Sequence, residues 1–197
     1  RTGIVTGRRG MHFLLAIAVA GLISVGGRAA AGDPGYKSSI ERYVPPNVVL
    51  VNQDGARVRL QNLIESDKPV VLDFIYATCT TICPVLSAGF TSVQAKLGPD
   101  TRKVQLISIS IDPEHDTPKI MKEYLKQFRA KPGWDFLTGS REDIDRVMKA
   151  FDSYIPDKMS HKQETFIRAQ MPGRWVRIKG LIGSAELMSE IGKANQR

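Results

Sequence analysis

Cysteine is nearly absent from this chain: it occurs only as Cys79 and Cys83. No cysteine precedes residue 79, which excludes a lipid anchor on a leader cysteine. Histidine is as scarce, at His12, His115 and His161. Acidic residues are missing before residue 32, where Arg1, Arg8, Arg9 and Arg28 supply half of the formal net charge of +8. The remaining charge is mild, and no basic stripe interleaved with aromatics points to nucleic acid. The N-terminal apolar run, residues 13–25, falls short of the about 20 residues that a membrane-spanning helix needs. There is no internal repeat and no low-complexity tract. What the chain does hold is 42% hydrophobic and 24% charged residues over 197 positions, the make-up of one soluble domain with a single core.

Residues 1–31 read as an export leader. Arg8 and Arg9 form a basic n-region, residues 13–25 (FLLAIAVAGLISV) an apolar core, and Ala29-Ala30-Ala31 a small-residue cleavage pattern. Cleavage is expected after Ala31, an uncleaved N-terminal anchor being the alternative, and Met11 is the expected start. The Arg8-Arg9 pair reads as an ordinary n-region rather than a twin-arginine signal. The expected location is the periplasm, or the outer face of the inner membrane. Residues 32–46 are polar and rich in Pro and Gly, and read as a linker or arm. The working domain is then residues 47–197.

That domain alternates strands and helices. Residues 48–51 and 58–60 flank Asp54-Gly55, a hairpin signal. Residues 70–76 (VVLDFIY) are apolar on both faces except at Asp73, as in a central buried strand. Residues 84–97 read as a helix with Val85, Leu86, Ala88, Phe90, Val93 and Leu97 in its stripe. Residues 104–111 alternate apolar and polar, predicting a strand. A loop with Asp112, His115 and Asp116 leads to a helix over 118–130, with Thr117 or Asp116 as N-cap and Pro118 in the first turn. A short strand over 134–137 and a helix opened by Ser140 follow, its Ile144, Val147, Met148 and Phe151 facing inward. A hairpin over 165–169 and 175–178 and a last helix over 184–191 complete the order. This is α/β with a mixed sheet. A cysteine pair at the start of the first long helix, then βαβ and a terminal hairpin, is the plan of the thioredoxin fold. The predicted fold is therefore thioredoxin-like: a mixed central sheet flanked by helices, with an extra N-terminal hairpin.

The chemistry is expected where the central strand ends, at Cys79-Thr80-Thr81-Ile82-Cys83-Pro84. Thiolates are soft ligands and reversible redox groups. A disulfide across four residues closes a very small loop and stabilises little as a staple. Residues i and i+4 share a helix face, so both sulfurs can meet one ion or each other. A helix N-terminus also favours thiolate. Two sulfurs leave a metal under-coordinated, and after the leader only His115 and His161 offer imidazole. Each lies at the C-terminal edge of the predicted sheet. A lone loop histidine is more often solvated than ligating; a thioredoxin-like topology brings the His161 segment against the cysteines. Met159 offers a soft axial donor, although a methionine beside a hairpin ordinarily packs. Asp112 and Asp116 are candidates to orient the site, although capping and turn formation explain them well enough.

Residues 45–192 resemble the SCO/SenC copper chaperones of cytochrome c oxidase assembly. The resemblance rests on Asp54-Gly55, on residues 70–76 running into Cys79-x-x-x-Cys83-Pro84, on Ser110-Ile111-Asp112-Pro113-Glu114 with Asp116-Thr117-Pro118, on Gly133-Trp134 and Leu137-Thr138-Gly139, and on a histidine before the last hairpin. Thr80 stands where many members carry proline, and residues 158–162 (KMSHK) depart from the family's aspartate-histidine pattern. The resemblance implies that Cys79, Cys83 and His161 bind copper, as Cu(I) or Cu(II). It implies delivery to the copper-receiving subunit of a respiratory oxidase or to another cuproprotein, or reduction of that subunit's cysteines so that they can receive the metal, a binding and transfer role rather than turnover.

The rival expectation is an enzyme, a thiol–disulfide oxidoreductase or peroxidase-like protein with Cys79 and Cys83 as redox dithiol. Thr78-Cys79 is faintly similar to peroxiredoxins. The spacing is one residue longer than the Cys-x-x-Cys of thioredoxin-type enzymes, and residues 161–165 contain no proline. A third expectation treats the cysteines as incidental to an interaction domain.

Overall fold

The computed structural model describes residues 2–3, 35–169 and 171–196. The expected leader, its Met11 start and its cleavage point at Ala31 lie outside the described residues, apart from positions 2 and 3. The chain divides into two units, Arg1–Gly32 and Asp33–Arg197, and the second carries the fold. Among the described residues no helix is long and apolar enough to cross a membrane.

The sheet grows outward from a strand that no water reaches. β4 (Val70–Ile75) has all six residues buried, the pattern of a strand covered on both faces. It pairs in parallel with β5 (Gln105–Ser110), and β5 pairs in parallel with β6 (Trp134–Thr138). On its other side β4 meets β7 (Glu164–Arg168) antiparallel, and β7 forms a hairpin with β8 (Arg174–Gly180). Beyond β6 lies the hairpin of β2 (Val49–Asn52) and β3 (Arg57–Arg59). Its turn needs the positive φ of Gly55, +78°, and the Asn52 side chain accepts from Asp54 N and Ala56 N at 3.0 Å each. The eight strands stand in the order β1-β8-β7-β4-β5-β6-β2-β3, the mixed thioredoxin-like sheet with an added N-terminal hairpin.

Two aromatic-rich layers close its faces. On one, Phe90 of α2 (Cys83–Leu97) meets Trp134, and Tyr124 of α3 (Pro118–Gln127) meets Phe136. The last helix, α5 (Ser184–Ala194), packs against α2. On the other face Phe151, which ends α4 (Arg141–Ala150), gathers Tyr43, Phe74, Phe166 and Trp175. Thr117 and Ser140 cap α3 and α4, accepting from Ile120 N and Asp143 N.

Three expectations need correction. The stretch read as linker, residues 32–46, holds strand β1 (Tyr36–Arg42), paired antiparallel with β8 over seven positions. Its side chains are mostly exposed, because an edge strand is held by main-chain hydrogen bonds and needs no apolar face. Leu60 does not end β3 but opens a short helix, α1 (Leu60–Ile64), which buries Leu60 and Ile64. On α2, Val85 and Ala88 point outward, because a helix that begins at Cys83 turns Cys83, Leu86, Ser87, Phe90, Val93 and Gln94 inward. The predicted strand over 104–111 forms as β5, and it is buried throughout, serines included. Ser108 accepts from Trp134 Nε1 at 3.1 Å and Ser110 donates to Asp116 at 2.5 Å, so both hydroxyls are satisfied inside.

Candidate metal centre

β4 delivers the chain to the C-terminal edge of the sheet, and the loop after Ile75 carries Cys79. A turn fixes that loop, Cys79 N donating to Tyr76 O at 3.2 Å. The helix begins only at Cys83, with Pro84 in its first turn. The two cysteines therefore do not share one helical face, as the i, i+4 spacing predicts. Cys79 instead sits ahead of the helix, and Cys83 N points at its sulfur from 3.5 Å. The sulfurs converge because the first unpaired N–H groups of a helix attract an anion. Both cysteines are buried and unbridged.

His161 arrives from the opposite side. The chain leaves α4, makes a 3-10 turn at Lys158–Ser160 and ends it on His161, whose N–H donates to Lys158 O at 3.2 Å. Asp157 caps that turn, accepting from Met159 N at 2.9 Å. The imidazole Nε2 lies 3.8 Å from Cys83 Sγ, and the ring meets Tyr76 edge-on at 5.8 Å between centroids. The ligand atoms of Cys79, Cys83 and His161 all lie within 4.8 Å of one another. Among the described residues no other group of three such side chains gathers this closely.

The three donors carry different protons. Burial works against ionising Cys79, but hydrogen bonds from the Cys83 thiol, the Cys83 N–H and Thr81 outweigh it and bring the thiol down to about 7. Burial pushes Cys83 well above its ordinary range, and the negative sulfur of Cys79 adds to the effect. Burial also lowers His161, against a backbone hydrogen bond at Phe74 and the charge of Glu164. Near neutral pH Cys79 is therefore the cysteine that ionises first, while Cys83 keeps its proton and the ring is neutral. A cation bound by both sulfurs would displace the Cys83 proton.

Three ties hold the loops together at this edge. Asp116, fully buried, accepts from Ala77 N with both carboxylate oxygens at 3.2 Å and from Ser110 Oγ. It thus fastens the cysteine loop to the loop after β5. Asp112 accepts from His115 Nδ1 at 2.9 Å and from Lys158 Nζ, which fastens the histidine turn to the same loop. At the start of β7, Glu164 accepts from Arg177, at 2.7 Å from Nη2, and from Ser153, while Arg177 also reaches Tyr43 and the Asp152 carbonyl. This buried pair is fully hydrogen-bonded, the condition under which buried charges are tolerated.

Of the two candidate histidines, His161 joins the sulfurs and His115 does not. Of the two readings of Asp112 and Asp116, capping and turn formation or orienting the site, the contacts favour the second. Both residues lie in a loop leaving a buried strand at the cysteine edge, and that placement is the signal that marks them.

A thioredoxin-like sheet with two unbridged cysteines at a strand–helix junction and an imidazole beside them defines a thiol protein built for metal binding or redox exchange. The family comparison then fixes the kind: a match to the SCO1/SenC family covers residues 41–186, and the chain belongs to that family. The SCO1 protein homolog of Bacillus subtilis (strain 168) is 33% identical over 146 residues, 70% of this chain and 74% of that protein. Among solved structures, Bradyrhizobium japonicum ScoI with copper bound aligns with a TM-score of 0.64 and 28% identity, over 77% of this chain and 99% of that one. BsSco, a member of the Sco family of cytochrome c oxidase assembly proteins in which a disulfide switch was identified, aligns with a TM-score of 0.66 and 27% identity, over 80% and 96%.

Proposed function

We propose that the protein binds one copper ion through Cys79, Cys83 and His161 and passes it to the copper-site subunit of cytochrome c oxidase. The observation that carries this is the donor set: two sulfurs and one imidazole nitrogen within 4.8 Å. Thiolates suit Cu(I), and imidazole adds a donor that also suits Cu(II). A closed structural zinc site takes four protein ligands; three leave one side of the ion open for an acceptor's ligand during transfer. Copper is cargo here, and the protein's work is to hold it, shield it and let it go.

Copper titration of the reduced protein tests this. We expect uptake of one equivalent with a thiolate-to-Cu(II) absorption band, and loss of both in Cys79→Ser. Stoichiometric uptake that survives the substitution overturns the assignment.

A second reading is favoured by the proton asymmetry of the two cysteines. The Cys79 thiolate attacks a disulfide of the receiving subunit and forms a mixed disulfide. Cys83 then gives up its proton and displaces the partner sulfur, leaving a Cys79–Cys83 disulfide and a reduced partner. Such a step prepares the partner's cysteines for the metal. Turnover of a protein disulfide by the metal-free protein supports it; a dithiol too oxidising to reduce the partner removes it. The location that suits either task is the periplasm, or the outer face of the inner membrane through an uncleaved N-terminal segment. Cell fractionation checks that placement.

A further inference from the structure

The turn that delivers His161 also holds out one side chain that packs against almost nothing. Met159 is 73% exposed, whereas methionine ordinarily fills gaps in a core. Its neighbours Lys158, Ser160 and Lys162 are polar, so it does not belong to an apolar docking patch. Its backbone is pinned, with Met159 N on Asp157 Oδ1. Its side chain is not, and its thioether takes a single hydrogen bond, from the Tyr76 hydroxyl at 3.5 Å. The Tyr76 ring in turn meets the His161 imidazole edge-on, 5.8 Å between centroids. The side chain that holds the thioether is thus the one that flanks the imidazole of the metal-binding set.

We infer that Met159 is a fourth, outer ligand for Cu(I), which leaves the Tyr76 hydroxyl to bind the ion on the side that Cys79, Cys83 and His161 leave open. The inference rests on the copper reading of this site and assigns it an exit. Thioethers select Cu(I), and an unbranched side chain with three rotatable bonds can follow the ion outward. A neutral sulfur adds no charge and leaves no buried proton to expel. It is therefore a weaker holder than a thiolate, as a ligand on the way to an acceptor must be. Exposure at the rim, which a packing role does not explain, is what such a ligand needs.

The test is anaerobic Cu(I) competition against a chromophoric chelator, run on the full chain, Met159→Leu and Cys79→Ser, with copper X-ray absorption on each loaded protein. Met159→Leu keeps size and apolarity at a surface position, and a thermal melt confirms folding. We expect Cu(I) affinity to fall about tenfold, the low end for a supporting contact at a metal site. One sulfur should vanish from the copper shell, and the Cu(II)–thiolate band should be unchanged. An unchanged sulfur count overturns the assignment, whether or not affinity falls. If Cys79→Ser loses copper while Met159→Leu matches the parent, only the role of Met159 fails. If Cys79→Ser keeps its copper, the copper reading itself fails.

Discussion

Two loops at the same edge of the sheet each present a histidine, and they treat it in opposite ways. The loop after β5 holds His115 out, its side chain 67% exposed, with Nδ1 on the carboxylate of Asp112. The loop before β7 folds His161 inward until Nε2 lies 3.8 Å from Cys83 Sγ. His115 has acidic neighbours, Asp112, Glu114 and Asp116, answered by Lys158 and Arg141. His161 has sulfur on one side and the Tyr76 ring on the other. Burial lowers the pKa of His161 and so keeps its ring neutral, the form that binds a metal. Residue type and edge are shared; depth and the hardness of the neighbouring atoms separate a ligand from a surface contact.

The largest effect should come from exchanging the two. His161→Ala removes the only imidazole of the set, and Cu(II) affinity should drop about a hundredfold, roughly 2.7 kcal/mol. Cu(I), held by the two sulfurs, should stay bound. His115→Ala should leave both within about twofold, since its partner Asp112 keeps the ammonium of Lys158. Competition titrations in each oxidation state measure this. Equal losses from the two variants break the comparison.

The next effect concerns what aligns the loops. Asp116→Ala strands Ala77 N and Ser110 Oγ in the interior, and a buried polar group left unpaired costs about 1–3 kcal/mol. We expect a lowered melting temperature and Cu(II) affinity weakened about tenfold, as for other supporting contacts at metal sites. Asp116→Asn, which keeps an acceptor oxygen for both donors, should recover most of each. A variant that melts early but binds copper normally would make Asp116 a fold residue only.

How far the sequence reveals this arrangement depends on whether a feature is local. Residues 70–76 and Asp54-Gly55 announce a buried strand and a tight turn through their own composition, and β4 and the β2–β3 hairpin form there. The cysteine spacing and Pro84 announce a strand–helix junction. Other features depend on remote partners and leave no local trace. Strand β1 is legible only once β8 lies beside it, because its polar residues offer no alternation. Ser108 and Ser110 look solvent-facing until Trp134 and Asp116 are brought to them. Asp116 looks like a cap residue because its true donor, Ala77 N, is 39 positions away. His161 is legible through topology, but its distance from sulfur is not. The exposure of Met159 runs against the packing expected of its residue type.

The smallest expected effect tests the tie on the histidine side. Burial alone would raise the Asp112 pKa, but Lys158 and His115 beside it hold it below the ordinary carboxylate range. A depressed folded pKa means that this stabilisation is present above the unfolded value, about 3.9, and fades as pH falls through the folded one. Lys158→Ala should therefore lower stability at pH 7 by less than about 1 kcal/mol, because Lys158 is itself partly exposed and screened. The difference from the parent should shrink as the medium is acidified below about pH 4. Urea unfolding at neutral and acid pH measures both limbs. Cu(II) affinity should change by less than in Asp116→Ala, because the histidine turn keeps its own ties, Met159 N to Asp157 Oδ1 and His161 N to Lys158 O. If Lys158→Ala harms copper binding more than Asp116→Ala does, the histidine turn is the weaker of the two supports, and alignment of His161 limits the site rather than alignment of the cysteine loop.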